Sequence, residues 1–579
     1  MNGNRLDKKR LIEVATGRTR AEVVLKNARI VNVYTREVID GSLAIDQGHI
    51  AGIGAYEGRE EHDLGGRYLL PGLIDSHVHI ESSLLSPEQF ARLVVPRGTT
   101  SVIADPHEIA NVAGLDGIRY MIETSRELPL DVYFMLPSCV PAAAFENAGA
   151  VLDAAALGEL IDHEAVLGLG EVMDYPALAR GDEELLAKIA LATDRNKPID
   201  GHAPMVEGRL LSAYRAAGVE TDHECSTLDE MRDRLRLGMR VLIREGSAAR
   251  NLSELIRGVD ATTAHKCSFC TDDKQPAELM EEGHIDFNVR LAIENGLDAI
   301  TAIQLATVNA AEGYRLTGKG ALTPGFRADL IVVDDLRSFS VEEVYKDGRL
   351  VARDHRAEFS VPVPDTSAVS GSVTIPPLTE ESFRLKLTGD LATVIHVHPN
   401  TLITEKAVRK VSTDAAGYFV HEDKLDICRL AVIERHRGNG NIGLGLVEGF
   451  ELRGGAIATT IAHDSHNLII LGDSDADMLA AALELERCGG GMTISKDGKI
   501  LDTLELPIAG LMSNKSGDEV SRRLAEINRL AYEELSANPS IDPFMGLSFL
   551  ALPVIPELRL TDQGLFDVTA FELVDINVQ

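Results

Sequence analysis

Residues 73–79 read LIDSHVH, an apolar run that ends in two histidines two residues apart. Seven more apolar runs follow, most of them at intervals that leave room for a helical connection. They are TSVIADPH (100–107), VYFMLPS (132–138), VLGLGEV (166–172), PIDGHAP (198–204), VETDHE (219–224), MRVLIREG (239–246) and HKCSFCTDD (265–273). Eight strand-plus-connection units in about 250 residues are typical of a closed parallel barrel. The sequence therefore predicts an α/β fold with a (β/α)8 TIM barrel over residues 71–322.

Polar residues gather at the C-terminal ends of the predicted strands, the face where barrel enzymes place their active sites. His77 and His79 share one side of the first strand, because side chains alternate along a strand. Other runs end in groups of similar chemistry: Glu171, His202, His223 and Asp272. Nitrogen and carboxylate ligands in this mixture suit Zn²⁺, Fe²⁺ or Mn²⁺. Six ligands exceed the need of one tetrahedral ion, and a carboxylate can bridge two ions, so the pattern predicts a two-metal site.

Short alternating segments flank the predicted barrel. Residues 21–70 read as β-hairpins, and matching β fragments return at 328–336 and 341–352. Neither flank could bury a face alone. We therefore expect residues 1–70 and 323–360 to pair into one small, split β-sandwich domain.

The chain changes character after the second flank. The stretch VPVPDTSAVSGSVTIPP (361–377) is rich in proline and serine, as linkers are. Beyond it, β-like runs mix with helices, and we expect residues 361–579 to form a separate C-terminal α+β domain. A second H-x-H, His396 and His398 in VIHVHPN, lies there. Because H-x-H alone is weak evidence for a metal site, we interpret these two as strand residues.

Composition narrows the classes of partner. The formal net charge is −33, from 57 basic and 90 acidic residues, so the surface repels phosphate backbones and anionic membranes. We expect no nucleic acid and no membrane as partner, while a neutral small molecule stays compatible. Six scattered cysteines do not suggest a disulfide framework, and the N-terminus lacks the apolar run of a signal peptide. These features predict a cytoplasmic protein, with a homo-oligomer, most simply a dimer, as the default for an enzyme of this size.

Several motifs together resemble the amidohydrolase superfamily over about residues 21–355. They are PGLIDSHVH (71–79), GHAP (201–204), TDHE (221–224), TDD (271–273) and LATVNAAEGYRLTGKGALTPGFRADLIVVD (305–334). The resemblance implies a metal-dependent hydrolase in which the six residues above bind metal and Asp272 shuttles a proton. Many members carry a carboxylated lysine on the fourth strand. Glu171 stands at that position here, which points to a narrower group.

That narrower group is the bacterial adenine deaminase family, which the chain resembles over nearly its whole length. The similar phrases are HVHIESSLLSPEQFA (77–91), TTSVIADPHEIANVAG (99–114), GLGEVM (168–173), IDGHAP (199–204), FCTDDKQP (269–276), IATTIAHDSHNLIILG (457–472) and GLMSNKSGDEV (510–520). The resemblance implies hydrolysis of adenine to hypoxanthine and ammonia in purine salvage, with two Fe²⁺ or Mn²⁺ ions and Zn²⁺ as an alternative. The catalytic residues are then expected to be Asp272, Glu171 and His223.

A second set of polar residues is expected to bind substrate or to support the metal ligands. Asp105, His107 and Glu108 form a denser polar cluster than a barrel core tolerates without purpose, although Asp105 and Pro106 also fit a helix start. Glu81 and Ser82 are candidates for purine contacts, although Ser82 and Ser83 could equally form a turn. Asp273 is the rival of Asp272 as proton carrier. The C-terminal candidates are His463, Asp464, His466 and Ser513.

The C-terminal segment HDSHN (463–467) lies between two apolar runs, which predicts a strand-turn-strand whose loop is rich in polar residues. Such a loop often carries function and could close over the barrel mouth. The alternative is a solvated hairpin loop.

Two other functions compete with adenine deamination. One is hydrolysis of a cyclic amide by a related amidohydrolase, which Glu171 and the long C-terminal segment argue against. The other is an inactive barrel used for binding or assembly, which the full set of competent ligands argues against. Cys267 and Cys270 form a C-x-x-C, but the zinc-deaminase pattern of H-x-E followed by P-C-x-x-C is missing, so buried thiols are expected.

Overall fold

The N-terminal part of the chain is a short helix followed by five strands. The computed structural model describes residues 6–361, 363–399, 401–422 and 424–578. The first elements are α1 (Lys8–Ala15), β1 (Ala21–Asn32), β2 (Glu37–Asp46), β3 (His49–Ile53), β4 (Gly58–Asp63) and β5 (Tyr68–Pro71). Strands β1, β2 and β3 pair antiparallel in chain order.

Eight parallel strands follow, and each lies within one of the predicted runs, or starts one residue before it. They are β6 (Leu73–Val78), β7 (Thr99–Ala104), β8 (Asp131–Leu136), β9 (Val166–Val172), β10 (Ile199–Gly201), β11 (Thr221–Asp222), β12 (Arg240–Arg244) and β13 (Cys267–Cys270). Strands β6 to β10 pair in chain order, and so do β11 to β13. The Asp272 N–H donates to the His77 carbonyl and the Glu220 N–H to the Ile199 carbonyl, both at 2.9 Å. The result is a curled parallel sheet of the barrel-like α/β kind that the spacing predicts.

The strand bodies are buried and the helices lie between them in sequence. Every residue of β6 and β7 is buried, as expected of parallel strands with both faces covered. The intervening and following helices are α2 (Pro87–Val94), α3 (His107–Ser125), α4 (Ala154–Gly158), α5 (Tyr175–Arg180), α6 (Glu183–Thr193), α7 (Gly208–Ala216), α8 (Leu228–Arg236), α9 (Leu252–Leu255), α10 (Pro276–Glu281), α11 (Ile285–Glu294), α12 (Ala299–Leu305) and α13 (Val308–Gly313). Because α3 begins directly after Pro106, His107 and Glu108 lie both at a strand end and in the first turn of a helix.

The chain then returns to the first sheet. Strand β14 (Leu330–Val333) runs antiparallel to β5, with Leu330 opposite Pro71. It is followed by β15 (Val341–Lys346), β16 (Arg349–Arg353) and β17 (Arg356–Ala357). Strands from both flanks therefore lie in one nine-stranded sheet, in the order β17-β16-β15-β14-β5-β1-β2-β3, with β4 against β1.

The described residues of the C-terminal part contain a second large sheet and three α-helices. Its strands are β18 (Leu391–Val397), β19 (Thr404–Lys410), β20 (Ser412–Thr413), β21 (Phe419–Val420), β22 (Cys428–Ile433), β23 (Ile442–Glu448), β24 (Ala456–Thr459), β25 (Leu468–Gly472), β26 (Gly491–Lys496), β27 (Lys499–Glu505), β28 (Leu558–Thr561), β29 (Gly564–Asp567) and β30 (Glu572–Leu573). Its helices are α14 (Asp475–Cys488), α15 (Gly517–Leu535) and α16 (Pro543–Ser548). Eight of the strands form one sheet, ordered β19-β18-β23-β22-β25-β24-β26-β27. His396 lies in β18, as predicted, and His398 follows directly after it.

The loop between β24 and β25 carries the HDSHN segment. Strands β24 and β25 pair antiparallel, as the strand-turn-strand interpretation predicts. All five HDSHN residues are buried, with His463 the most exposed at 8%. The alternative of a solvated hairpin loop is therefore wrong.

Two further expectations concern membranes and thiols. Within the described ranges, no helix combines the length and the apolar character that crossing a membrane would need. All six cysteines are free thiols. Cys267 and Cys270 are fully buried in β13, which confirms the buried-thiol interpretation of the C-x-x-C.

Candidate active site

Glu171 lies at the centre of the polar strand ends. It belongs to β9 and is 3% exposed. A glycine must precede it, because a Cβ on Gly170 would lie 2.1 Å from Asp105 Oδ2. The same oxygen accepts a hydrogen bond from the Glu171 N–H at 2.9 Å. The Asp105 carboxylate thus packs against the backbone of β9 at Gly170 and fixes the position of Glu171 through its N–H.

One oxygen of Glu171 faces a first group of ligand atoms. Glu171 Oε1 lies 3.4 Å from His79 Nε2. Asp272 Oδ1 lies 3.1 Å from the same nitrogen and 3.4 Å from His77 Nε2, and the two nitrogens are 3.2 Å apart. His79 Nδ1 donates to the Asp105 carbonyl at 2.9 Å, so in the neutral ring Nε2 presents a lone pair to this group.

The other oxygen of Glu171 faces a second group. Glu171 Oε2 lies 3.0 Å from His202 Nδ1 and 3.2 Å from His223 Nε2, and these nitrogens are 3.3 Å apart. Glu224 Oε1 lies 3.5 Å from His202 Nδ1 and 3.4 Å from His223 Nε2. Glu171 therefore lies between the two groups: Oε2 is close to both nitrogens of the second group, while in the first group Oε1 is close to His79 and His77 Nε2 lies 3.9 Å from Oε2.

Both groups fit divalent metal ions. Two ligand atoms that each lie about 2.1 Å from one ion at the tetrahedral angle are about 3.4 Å apart. The nitrogen–nitrogen separations of 3.2 and 3.3 Å are close to that value. Imidazoles and carboxylates together suit divalent transition ions better than Mg²⁺ or Ca²⁺. The structure brings all six predicted ligands into this one cluster.

The charges of the cluster favour ionised carboxylates. Burial alone would raise the pKa of Glu171, but the imidazoles of His202 and His223 hold it well below its usual range. Burial also opposes ionisation of Asp272, and the Arg244 guanidinium outweighs it and holds that pKa well below the usual range. Both side chains are therefore carboxylates at neutral pH.

Two residues of the cluster carried no role in the sequence-based predictions. Arg244 Nη1 donates to Asp272 Oδ2 at 2.7 Å and to Glu224 Oε1 at 2.5 Å. Arg244 is the last residue of β12, and Glu224 follows β11. Their place at strand ends was the available signal, but an isolated arginine or glutamate is more often a surface residue.

Asp272 has a φ of 60°, a left-handed conformation that is uncommon outside glycine.

His107 connects the cluster of predicted ligands to the C-terminal part of the chain. Its Nδ1 lies 3.2 Å from Glu171 Oε1. Its Nε2 lies 3.5 Å from Glu108 Oε1 and 3.8 Å from Asp464 Oδ1. The predicted polar cluster of β7 thus stands between the ligands and the HDSHN loop.

A small cavity of about 50 Å³ opens beside the cluster. Its polar wall from the parallel-strand part includes Glu81, Ser82 and Asp273, and the Ser82 hydroxyl donates to Asp273 Oδ1. Glu81 Oε1 accepts from the Ile109 N–H at 3.2 Å, while Oε2 has no partner within the described ranges. Burial raises the pKa of Glu81 to about 7. The C-terminal part supplies the opposite wall: Ile461, His463, His466, Met492, Leu511, Phe544 and Phe549.

The C-terminal candidates take different places. His463 Nδ1 lies 2.7 Å from Glu108 Oε1, and His466 Nε2 contacts Glu108 Oε2. Asp464 is buried, which raises its pKa to about 6. Ser513 lies outside the cavity lining; its backbone pairs with the first part of the chain, since the Ser513 N–H donates to the Leu84 carbonyl at 2.8 Å.

Comparison with known proteins decides the family. Residues 68–351 match the amidohydrolase family, and residues 401–572 match the adenine deaminase C-terminal domain. A protein of Nitratidesulfovibrio vulgaris named adenine deaminase is 53% identical over 568 residues, which are 98% of each chain. An adenine deaminase of Clostridium acetobutylicum is 52% identical over 97% of this chain and 99% of the relative. The chain belongs to the adenine deaminase family.

Membership of the adenine deaminase family confirms the resemblance that the motifs indicate. An adenine deaminase of Geobacillus kaustophilus is 49% identical over 98% of both chains, so the similarity spans the parallel-strand part and the C-terminal part alike. As a member of this family the chain is a hydrolytic enzyme that acts on C–N bonds. The cyclic-amide and inactive-scaffold alternatives are not favoured.

Proposed function

We propose that this chain hydrolyses adenine at C6 to hypoxanthine and ammonia, an activity of purine salvage. The observation that carries the proposal is Glu171, whose carboxylate lies among the imidazole nitrogens of both groups, beside a cavity. The names of the curated relatives support adenine as the substrate.

The six-residue cluster would hold two divalent ions, Fe²⁺ or Mn²⁺ with Zn²⁺ as the alternative, and Glu171 would be a ligand within reach of both positions. Such ions supply a hydroxide nucleophile at neutral pH and polarise the group under attack. The remaining ligands would be His77, His79 and Asp272 for one ion, and His202 and His223 for the other.

Asp272 is proposed as the proton carrier. Its Oδ1 lies among the ligand nitrogens, and its Oδ2 is fixed by Arg244, so the carboxylate has one oxygen directed at the reaction centre. The amino group of adenine is a poor leaving group until it is protonated. Asp272 would take the proton of the attacking water and deliver it to the exocyclic nitrogen at C6. Asp273, which lines the cavity, is the rival for this role.

Glu171 and His223 complete the proposed catalytic set by fixing the geometry around Asp272. The His223 ring stacks on that of His77, with centroids 4.1 Å apart and planes 15° apart. This stack holds the ring nitrogens of His77, from the first group, and of His223, from the second, beside the Asp272 carboxylate. Asp105 and His107 support them through Glu171.

The purine is proposed to bind in the cavity against Glu81, Ser82 and Asp273. A purine edge alternates hydrogen-bond acceptors with N–H donors, and these side chains offer both kinds of partner. Glu81 Oε2 can donate when protonated and accept when ionised, since the pKa of Glu81 is about 7. The apolar side chains of Leu511 and Phe544 line the cavity and suit the faces of a flat ring.

The proposed architecture follows the predicted boundaries. Residues 71–322 would form a closed (β/α)8 barrel, residues 1–70 and 323–360 the split β-sandwich, and residues 361–579 the C-terminal domain. The joint sheet of both flanks supports this division. We place the enzyme in the cytoplasm as a homo-oligomer, most simply a dimer, with neither nucleic acid nor membrane as a partner; the free cysteines and the net charge of −33 support this setting.

The test is ammonia release from adenine by protein loaded anaerobically with Fe²⁺ and, in parallel, with Mn²⁺. Conversion to hypoxanthine that is lost on chelation is the expected result. No turnover with either metal, in protein that contains two ions per chain, would refute adenine as the substrate and direct the search to cyclic amides.

A further inference from the structure

The loop at residues 460–467 is held at the cavity from two sides. Arg435 Nε donates to the His466 carbonyl, which ties the loop to the C-terminal sheet. Asn467 Nδ2 donates to the Asn147 carbonyl at 2.8 Å, which ties it to the parallel-strand part. The place of the loop side chains is therefore set by the fold of both parts of the chain.

Hydrogen bonds fix where the protons of this loop lie. His466 Nδ1 accepts the Ala462 N–H at 3.2 Å, so in the neutral ring the proton is on Nε2 and is donated to Glu108 Oε2. Burial lowers the pKa of His466 to about 4, which keeps the ring neutral at pH 7. Burial opposes ionisation of Glu108, but His463 and His466 hold its pKa well below the usual range. The ionised Glu108 can only accept, so His463 Nδ1–H is the donor of the 2.7 Å bond.

The same protons argue against a metal ion between these three side chains, although their ligand atoms lie close together. Coordination needs a lone pair on each nitrogen, and the only lone pair of His466 already accepts a backbone N–H. Glu108, His463 and His466 are better described as a hydrogen-bonded relay.

The relay does not use His463 Nε2, so this nitrogen is available to a ligand that binds in the cavity. The bond to Glu108 uses Nδ1, and the ring lines the cavity with Glu81 and Asp273. The ring also stacks on Phe549, with centroids 4.4 Å apart and planes 21° apart, which fixes its plane. Burial lowers the pKa of His463, but Glu108 outweighs it and raises that pKa to about 9. At neutral pH the ring therefore offers an N–H donor at Nε2.

We propose that His463, contributed by the C-terminal part of the chain, donates a hydrogen bond from Nε2 to one ring nitrogen of the bound purine. The inference rests on the proposed adenine deaminase activity and adds a specificity-determining contact to it. The in-plane lone pairs of the purine ring nitrogens are the acceptors that match a fixed N–H donor. Glu108 and His466 are positioning residues, because they act on the substrate only through His463.

The test measures binding of three adenine analogues, each lacking one ring nitrogen: 1-deaza-, 3-deaza- and 7-deazaadenine. The full chain is loaded with Mn²⁺, and dissociation constants are obtained by calorimetry for the wild type and for two variants. His463→Asn keeps an amide N–H near the position of Nδ1 and loses the donor to the cavity. His463→Gln places an amide N–H near Nε2. The control is His398→Gln, a histidine directly after β18 with 44% of its side chain exposed.

His463→Asn should weaken two of the analogues roughly 10- to 100-fold and leave the third unchanged, because that analogue already lacks the contacted nitrogen. His463→Gln should recover part of the affinity, and the control should bind like the wild type. An equal loss for all three analogues, or no loss for any, overturns the contact. Calorimetry needs no turnover, so a failed adenine assay and a failed binding pattern are separate results.

A second measurement examines the positioning role of Glu108. The titratable groups that face His463 are Glu108, Asp273, Asp464 and His466, and Glu81 lines the same cavity. Wild-type affinity for the analogues that retain the contacted nitrogen should fall as pH rises through about 9, where His463 loses its proton. Glu108→Gln should move this fall to lower pH, because burial then acts on His463 without the charge that opposes it most strongly. An unchanged pH profile would show that Glu108 does not hold the proton on His463.

Discussion

Replacement of Asp272 by asparagine tests the proposed chemistry most directly. The amide keeps an oxygen that can face His77 and His79, 3.4 and 3.1 Å from the present Oδ1, so most of the metal should be retained. It cannot carry a proton between water and substrate, and such general acid–base steps contribute roughly 10²- to 10⁴-fold to rate. We expect kcat to fall by about that factor.

The same change has a cost in stability that the structure also indicates. Asp272 Oδ2 accepts a charge-assisted hydrogen bond from Arg244 at 2.7 Å, and losing such a bond costs about 1.5–3 kcal/mol. Glu224 remains paired with Arg244 at 2.5 Å, so the guanidinium is not left without a counter-ion. The free energy of unfolding should therefore drop by about 2 kcal/mol, with the fold intact.

The matched variant is Asp273→Asn, next in sequence and in the wall of the cavity. It should weaken adenine binding through its link to Ser82 while leaving kcat within about tenfold of the wild type. The assay is ammonia release with metal content per chain determined on the same samples. Near-normal turnover of Asp272→Asn would refute its role, and a collapse confined to Asp273→Asn would transfer the role to the neighbour.

Three further changes test the structure around this centre. Gly170→Ala should lower the free energy of unfolding by about 2–5 kcal/mol in urea titrations, since its Cβ would overlap the Asp105 carboxylate, whereas Gly158→Ala, with nothing within 4 Å, should be near neutral. Chelation should abolish turnover and lower the Tm measured by calorimetry, and Mn²⁺ should restore both. The reason is that the proposed ligands lie close together only in the folded chain, so the metal binds the folded state. An unchanged Tm would contradict this. Because the pKa of His463 is raised, its protonation should add on the order of 3 kcal/mol to the free energy of unfolding. This contribution is complete below about pH 6.5 and is lost as the pH rises through about 9. Urea titrations from pH 6 to 10 should show the fall in the wild type and little of it in Glu108→Gln.

The ligand cluster was predictable because its placement follows local rules. Strand alternation puts His77 and His79 on one side, and the polar ends of parallel strands meet at one rim. Glu171 and Asp272 stand at the ends of two more runs, so strand position and residue type together were enough. The C-x-x-C could be set aside for a similar reason, since it lies within a strand rather than after one.

The parts that escaped prediction depend on contacts between distant segments. Glu108 and His466 are 358 positions apart, and no periodicity within either segment indicates that they meet. The burial of the HDSHN loop follows from that meeting, so its sequence alone allowed a solvated hairpin equally well. Arg244 is recognisable as part of the site only through its bonds to Asp272 and Glu224, which exist once the strands are side by side.

The pairing of Glu108 with two C-terminal histidines limits how enzymes of this kind can be recombined. A hybrid that joined this parallel-strand part to the C-terminal half of a distant relative would keep every proposed metal ligand, but Glu108 would lose the contacts with His463 and His466. A buried carboxylate without its donors is strongly unfavourable. Successful chimeras should therefore take Glu108 and the two C-terminal histidines from the same parent. Laboratory evolution of a new substrate preference should find paired changes on both sides of this contact more often than single ones.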